Sequence, residues 1–218
     1  MTSHRRLAVL VAALLAAVVL APSVVARLLV PEYDGVGALR AGLPGAFDHD
    51  GTLARSADWW AAFHGTKAVA AGLLLVALVA ASRRSRGVLR GAVLALAGLA
   101  LVVVLANLQG VFAPVSSLLS MLPGEAARAV LASEGTPGFA ALVDDFAAYH
   151  RAMVGLAGVT ALVLAVLAVR DRRAGLGVAA AVLLVVAVAN ATTVADPAPA
   201  LRAFLAAQPQ RRSAYDGP

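Results

Sequence analysis

The chain contains no cysteine and carries little charge for its length. None of its 218 residues is cysteine, and charged residues make up 14% of the sequence. The first absence excludes disulfides, thiol nucleophiles and cysteine-ligated metals. The HExxH zinc motif and phosphate-binding glycine loops are also missing, and no His and Asp pair accompanies the serines at 116, 117 and 120. We therefore expect a protein that is not an enzyme.

Apolar residues dominate instead, at 61% of the chain, and the mean hydropathy is +0.85. Five apolar stretches each approach the ~20 residues with which a helix crosses ~30 Å of hydrocarbon. The stretches are continuous rather than alternating, which favours helices over a barrel. We predict an all-α polytopic membrane helical bundle that forms one integral membrane domain. Its transmembrane helices are expected at residues 7–30, 59–81, 91–113, 147–169 and 175–195.

Arginine clusters predict the orientation of these helices. Nine arginines and a single aspartate, Asp171, fall at the N-terminus and in the two short turns that would share its side of the membrane. By the positive-inside rule the N-terminus is cytoplasmic, and the C-terminus of a five-helix protein is then extracytoplasmic. The arginines are at positions 5, 6, 83, 84, 86, 90, 170, 172 and 173.

Composition and charge also predict where the protein is located and which partners it has. The heavy use of Ala, Val, Leu, Gly and Arg is typical of a GC-rich bacterial genome, so we expect a bacterial plasma-membrane protein. A sequence pI near 11.0 would suit a nucleic-acid partner, but topology already accounts for the arginines, and we expect none. The expected partners are the lipid bilayer and either another membrane protein or a second copy of the chain.

The first apolar stretch has two interpretations. Arg5 and Arg6 precede it, and Val24 and Ala26 would permit cleavage before Arg27, as in a signal peptide. The apolar run is longer than the hydrophobic region of a typical signal peptide, so we favour a retained helix.

An internal repeat is the most informative pattern. The order Asp, aromatic, Ala-Ala, aromatic, His runs from Asp58 to His64 and recurs 86 residues later, from Asp144 to His150. Each copy continues through an apolar helix into an arginine turn and a second helix. The chain has only four histidines, two Trp, three Tyr and six Phe, so coincidence is a poor explanation. We predict a duplicated hairpin whose copies are parallel, related by an axis along the membrane normal.

The repeat also selects the candidate site residues. His64 and His150 stand nineteen and twenty residues before their arginine turns, which places both roughly 28–30 Å above the cytoplasmic edge. Counted in the same way, Lys67, Asn107 and Asn190 lie at roughly 24–26 Å, about one helical turn deeper. The outer third of the bundle is therefore expected to be polar.

Three interpretations of this polar layer remain open. Polar and aromatic residues collect at membrane interfaces, and asparagines bridge membrane helices, so the layer could be structural. Alternatively, His64 and His150 face each other and hold haem b or a metal ion, since facing bundle helices can hold such groups. In the third interpretation a small anionic substrate or a lipid, transported or bound, contacts Lys67, His64 and the two asparagines, Asn107 and Asn190.

The outer segments at residues 31–58, 114–146 and 196–218 contain further patterns. The run from Asp48 to Leu53 resembles the nucleophile motif of haloacid-dehalogenase-type phosphatases, but only six residues match and a membrane helix follows, so we interpret it as a polar turn. Pro123 and Gly135 bracket a short helix, and Thr136 with Pro137 predicts the start of a helix that continues into the membrane. In the tail, Leu201, Phe204 and Leu205 at helical spacing predict a short helix lying on the membrane surface.

Overall fold

The computed structural model describes residues 3–31, 52–122 and 124–208, and within these ranges it is helical with no strand. The predicted all-α class is confirmed. Five helices are long and apolar enough to cross a membrane. Asp48, His49, Asp50 and Gly51 of the phosphatase-like motif lie outside the described residues. The five long helices are α1 (Ser3–Leu29), α2 (Thr52–Arg84), α3 (Gly87–Phe112), α6 (Pro137–Asp171) and α7 (Ala174–Ala195).

Large apolar side chains cover the outside of these helices. Val19, Val88 and Val169 are 71%, 92% and 81% exposed, and many Val and Leu side chains resemble them. A water-soluble monomer rarely exposes contiguous apolar surface on this scale. Helices that satisfy their own backbone hydrogen bonds and present apolar side chains outward suit a lipid environment.

The chain forms two compact units, and the first contains α1 and residues Asp58–Val111. Its core is a cluster of Leu74, Leu78, Ala97 and Ala100 on α2 and α3, against which side chains of α1 such as Leu14 pack. Alanines among the leucines let the helices approach closely. Between α2 and α3 the chain turns through Gly87, whose φ of +55° is one that glycine adopts readily.

The second unit holds residues 52–57 at the start of α2 and the described residues from Phe112 onward. Its main element is the hairpin of α6 and α7, which turns through Arg172 with a left-handed φ of 51°. Thr136 caps α6 by accepting a hydrogen bond from the Phe139 amide, and Pro137 is the first helical residue, as the sequence predicts. Shorter elements complete the unit: α4 (Pro114–Leu118), a 3-10 turn (Leu119–Met121), α5 (Gly124–Ala132) and α8 (Pro197–Ala206).

Two expectations about the outer segments require correction. Helix α2 begins at Thr52, seven residues before the predicted start at Trp59. The tail forms the predicted helix, α8, but its apolar side is not left for a membrane surface. Leu201 and Leu205 are 0% and 2% exposed, because α8 packs against α5 and α6. The same helical spacing that suits a membrane interface serves here to bury side chains within the protein.

Candidate functional site

In the first unit, His64 of α2 is hydrogen-bonded to Asn107 of α3. Nδ1 of His64 lies 2.8 Å from Oδ1 of Asn107, and the Asn107 amide donates to the Val103 carbonyl oxygen at 2.7 Å. Asn107 is 6% exposed, so this bond joins the two helices inside the unit. The two residues that the sequence placed one turn apart in depth are therefore in contact.

The second unit contains the same arrangement. Nδ1 of His150 lies 2.7 Å from Oδ1 of Asn190, and the Asn190 amide donates to the Val186 carbonyl oxygen at 2.8 Å. Val103 and Val186 each stand four residues before their asparagine. Two matched helix pairs thus carry the same three-group chain of imidazole, amide and backbone carbonyl.

These bonds determine where each imidazole carries its proton. The asparagine amide nitrogen donates to a backbone carbonyl, so the oxygen of that amide is the atom that faces the histidine. An amide oxygen only accepts, and Nδ1 must therefore be the donor. In the neutral ring of His64 or His150, Nε2 then bears the lone pair and acts as an acceptor.

Aromatic rings pack on both imidazoles at equivalent positions. Trp60 and Phe63 lie 5.0 and 5.5 Å from the His64 ring, centroid to centroid. Phe146 and Tyr149 lie 4.6 and 5.5 Å from the His150 ring. In both units, one of these aromatic residues stands four positions before the histidine and the other stands one position before it. Their rings contact the imidazole and restrict its rotation.

The two sites differ at the position three residues after the asparagine. In the first unit this residue is Gly110, and a Cβ added there would lie 2.8 Å from Cδ2 and 3.1 Å from Nε2 of His64. The His64 ring thus occupies the space of a missing side chain and packs directly on the backbone of α3. In the second unit the equivalent residue is Thr193, whose side chain lies beside a cavity.

The cavity beside His150 has a volume of about 270 Å³. Aromatic rings form one part of its wall and hydroxyl-bearing residues another. Helices α4, α6, α7 and α8 and the 3-10 turn all contribute to the wall, so its shape depends on the whole outer part of the unit. The principal lining residues are Ser117, Ser120, Tyr149, His150, Thr193 and Phe204.

A carboxylate anchors the serine side of this cavity. Oδ2 of Asp145 accepts hydrogen bonds from the backbone amide of Ser116 at 2.7 Å and from its hydroxyl at 2.6 Å. Asp145 lies on α6, whereas Ser116 is in the first turn of α4, where amide groups lack helical partners. The sequence did not indicate this contact, because the residues are 29 positions apart and neither belongs to a recognisable capping pattern.

Lys67 lies on α2, one helical turn after His64. Its Nζ is 5.5 Å from the centroid of the Phe63 ring, a cation–π distance. Asn107 contacts His64 in the first unit, and Asn190 contacts His150 in the second. Among the described residues, no group of three or more His, Asp or Glu side chains is placed to hold a metal ion.

The fold and these contacts define the class: this is a multi-pass helical membrane protein in which each of the two units carries a hydrogen-bonded histidine and asparagine pair. Comparisons with family models, with curated proteins and with solved structures find no match to this chain.

Proposed function

We propose that the protein binds a small amine or ammonium ligand in the cavity beside His150, on the extracytoplasmic side of a bacterial plasma membrane. The observation that carries this proposal is that the imidazole and the serine hydroxyls of the cavity present acceptors. Because Nδ1 of His150 donates to Asn190, the lone pair of Nε2 is the hydrogen-bonding group left for a ligand.

The serine hydroxyls add to this preference. Ser116 donates to Asp145, Ser117 donates to the Pro114 carbonyl at 2.7 Å, and Ser120 donates to the Ser117 carbonyl at 3.3 Å. A hydroxyl has one hydrogen, so each of these groups can offer a ligand only its oxygen lone pairs. A ligand rich in N–H donors satisfies them, whereas an anion or an ether does not.

Aromatic rings and charge favour a cation over a neutral donor. Phe146, Tyr149 and Phe204 line the cavity, and their faces attract ammonium groups. Asp145 adds a carboxylate one hydrogen bond behind the wall. The volume of about 270 Å³ falls just below the ~300–1,000 Å³ of pockets for drug-sized ligands, so the ligand is small.

The test compares a cation with its neutral analogue. Saturation-transfer NMR on the detergent-solubilised protein should show binding of butylammonium and at least about tenfold weaker binding of butanol. His150→Phe keeps a ring but removes Nε2 and should abolish the butylammonium signal, whereas the matched change His64→Phe should leave it. Thr193→Val, nearly equal in volume, tests the same wall if His150→Phe fails to fold. Equal signals for the two probes, or none for butylammonium, would refute the proposal.

A second candidate function is haem or metal binding that uses His64 and His150. Its support is the shared proton position, because histidines that ligate metals through one nitrogen usually donate from the other. Against it, Nε2 of His64 lies close to the α3 backbone at Gly110. A Soret band, or stoichiometric metal that is lost in both His64→Ala and His150→Ala, would establish this function in place of amine binding. Colourless, metal-free protein after expression with cofactor supply would exclude it.

Orientation is part of the same proposal. We place the N-terminus and the arginine turns in the cytoplasm and the C-terminus outside, and we retain α1 as a helix because Val11, Leu14 and Val18 contact the core of the first unit. The chain lacks cysteine, so single-cysteine variants label without background. In intact cells a membrane-impermeant maleimide should label Ala132→Cys on α5 but not Ala174→Cys beside the arginine turn. The reverse pattern would invert the topology.

An internal duplication is the last part of the proposal. We infer that the hairpins of α2 with α3 and of α6 with α7 arose as one repeated element. The support is that hydrogen bonds and ring contacts recur at positions 86 residues apart on the first helix and 83 apart on the second. After the duplication, we infer, the position three residues after the asparagine diverged: with Gly110 the first unit's site is closed by the His64 ring, and with Thr193 the second unit's site is open to a cavity.

A further inference from the structure

A second feature of the second unit is a groove that runs along α6 on the outside of the helix. It has a volume of about 600 Å³ and is walled by Leu156, Val159 and several small residues, with Phe112 beside it. The lining residues of α6 follow helical spacing from Ala148 to Thr160, so they share one face. The hydroxyl of Thr160 donates to the Leu156 carbonyl, which leaves its methyl group for the groove.

One cation stands at one end of this apolar groove. Arg151 lines it, is exposed, and has no ion-pair partner within the described parts of the chain. An unpaired guanidinium within a membrane span is costly unless it reaches the level of the lipid headgroups. Arg151 lies at the end of the span opposite the arginine turn, where headgroup phosphates are within reach.

The length of the groove matches half of a bilayer. From Arg151 to Thr160 the helix advances nine residues, or about 14 Å at ~1.5 Å per residue. One leaflet of a bilayer with ~30 Å of hydrocarbon is about 15 Å deep. The groove therefore matches a phospholipid in two respects. Its cation lies at the level of the headgroup, and its apolar part is as long as one leaflet is deep.

We propose that this groove binds one anionic phospholipid, with its phosphate on Arg151 and an acyl chain lying along α6 over Gly155. Gly155 leaves the middle of the groove open, since a Cβ there would meet no atom within 4 Å. The site is separate from the cavity at His150, because its lining includes neither His150 nor any of the serines. Either site can therefore fail without the other.

The experiment measures lipid retained by the purified protein in native mass spectrometry. The protein is reconstituted in equal amounts of phosphatidylglycerol and phosphatidylcholine and then released in mild detergent. We expect one phosphatidylglycerol to be retained in preference to phosphatidylcholine. Arg151→Gln should reduce that preference by about fivefold, the value of one basic residue at a membrane surface.

Two glycine variants provide a matched pair on the same helix. Gly155→Leu fills the groove and should lower retention of both lipids, whereas Gly158→Leu, also in open space but outside the groove lining, should retain lipid as the unaltered protein does. Equal loss in the two variants, or an unchanged preference in Arg151→Gln, would overturn the proposal. So would retention of oleate in place of phospholipid, or a lipid-free dimer, because the occupant would then be a fatty acid or a second copy of the chain.

Discussion

The two histidine sites share their hydrogen bonds but differ in what stands beside the imidazole. At His64 the ring fills the space over Gly110 and packs on the backbone of α3. At His150 the equivalent helix carries Thr193, and a cavity adjoins the ring. The comparison teaches that a histidine and asparagine pair is by itself a structural element that joins two membrane helices. In our proposal, the open space around Nε2 is what makes the second pair a binding site.

Exchanging the residues at the divergent position should give the largest effect. Gly110→Thr would force a side chain into the His64 ring, and an overpacked contact of this kind costs about 1–3 kcal/mol of stability. The reciprocal change, Thr193→Gly, removes a side chain that borders open space and should cost less. Thermal unfolding in detergent measures both. If Gly110→Thr were as stable as the unaltered protein, the His64 site could not be closed in the way we describe.

Removing the anchor of the serine wall should have an intermediate effect. Asp145→Ala leaves the Ser116 amide and hydroxyl without their acceptor and should destabilise the protein by about 1–2 kcal/mol, as the loss of a charged helix cap does. The substitution also frees the hydroxyl hydrogen of Ser116, which can then donate to a ligand. The ratio of butylammonium affinity to butanol affinity should therefore fall. Asp145→Asn, which keeps an accepting oxygen, is the matched control. If Asp145→Ala still preferred butylammonium over butanol to the same extent, the serine hydroxyls would not determine which ligand binds.

Replacing Lys67 should have the smallest effect. Lys67→Met installs the residue found at the equivalent position of the second copy, Met153, and removes one cation–π contact worth less than about 1 kcal/mol. Stability should change little, and butylammonium should still bind. If Lys67→Met abolished binding while the protein remained folded, the site would belong to the first unit, and the interpretation based on a Lys67 substrate site would replace ours.

Much of the fold could be predicted from sequence because it depends on local patterns. Hydrophobic length locates five membrane helices, and the Thr136 and Pro137 cap locates the start of α6 to the residue. Counting from the arginine turns placed each asparagine about one helical turn from the depth of a histidine, but it did not pair them, and the hydrogen bonds of the two pairs are seen only in the structure.

The rest depends on contacts between segments far apart in the chain. Asp145 could not be matched with Ser116 from spacing, and the burial of Leu201 and Leu205 depends on α5 and α6 standing beside α8. The role of Gly110 was also missed, although a signal existed. When the two copies are aligned, Gly110 matches Thr193. A glycine in one copy where the other has a larger residue indicates that a neighbouring group, here the His64 ring, fills the space of the missing side chain.

The most direct test compares the reactivity of the two imidazoles in one sample. Diethyl pyrocarbonate modifies an accessible ring nitrogen that bears a lone pair, and peptide mass spectrometry reports the modified fraction at each histidine separately. We expect His150 to react at least about tenfold faster than His64, and butylammonium to slow the modification of His150 alone. Equal rates at the two residues, or faster modification of His64, would contradict the claim that one site is closed and the other open.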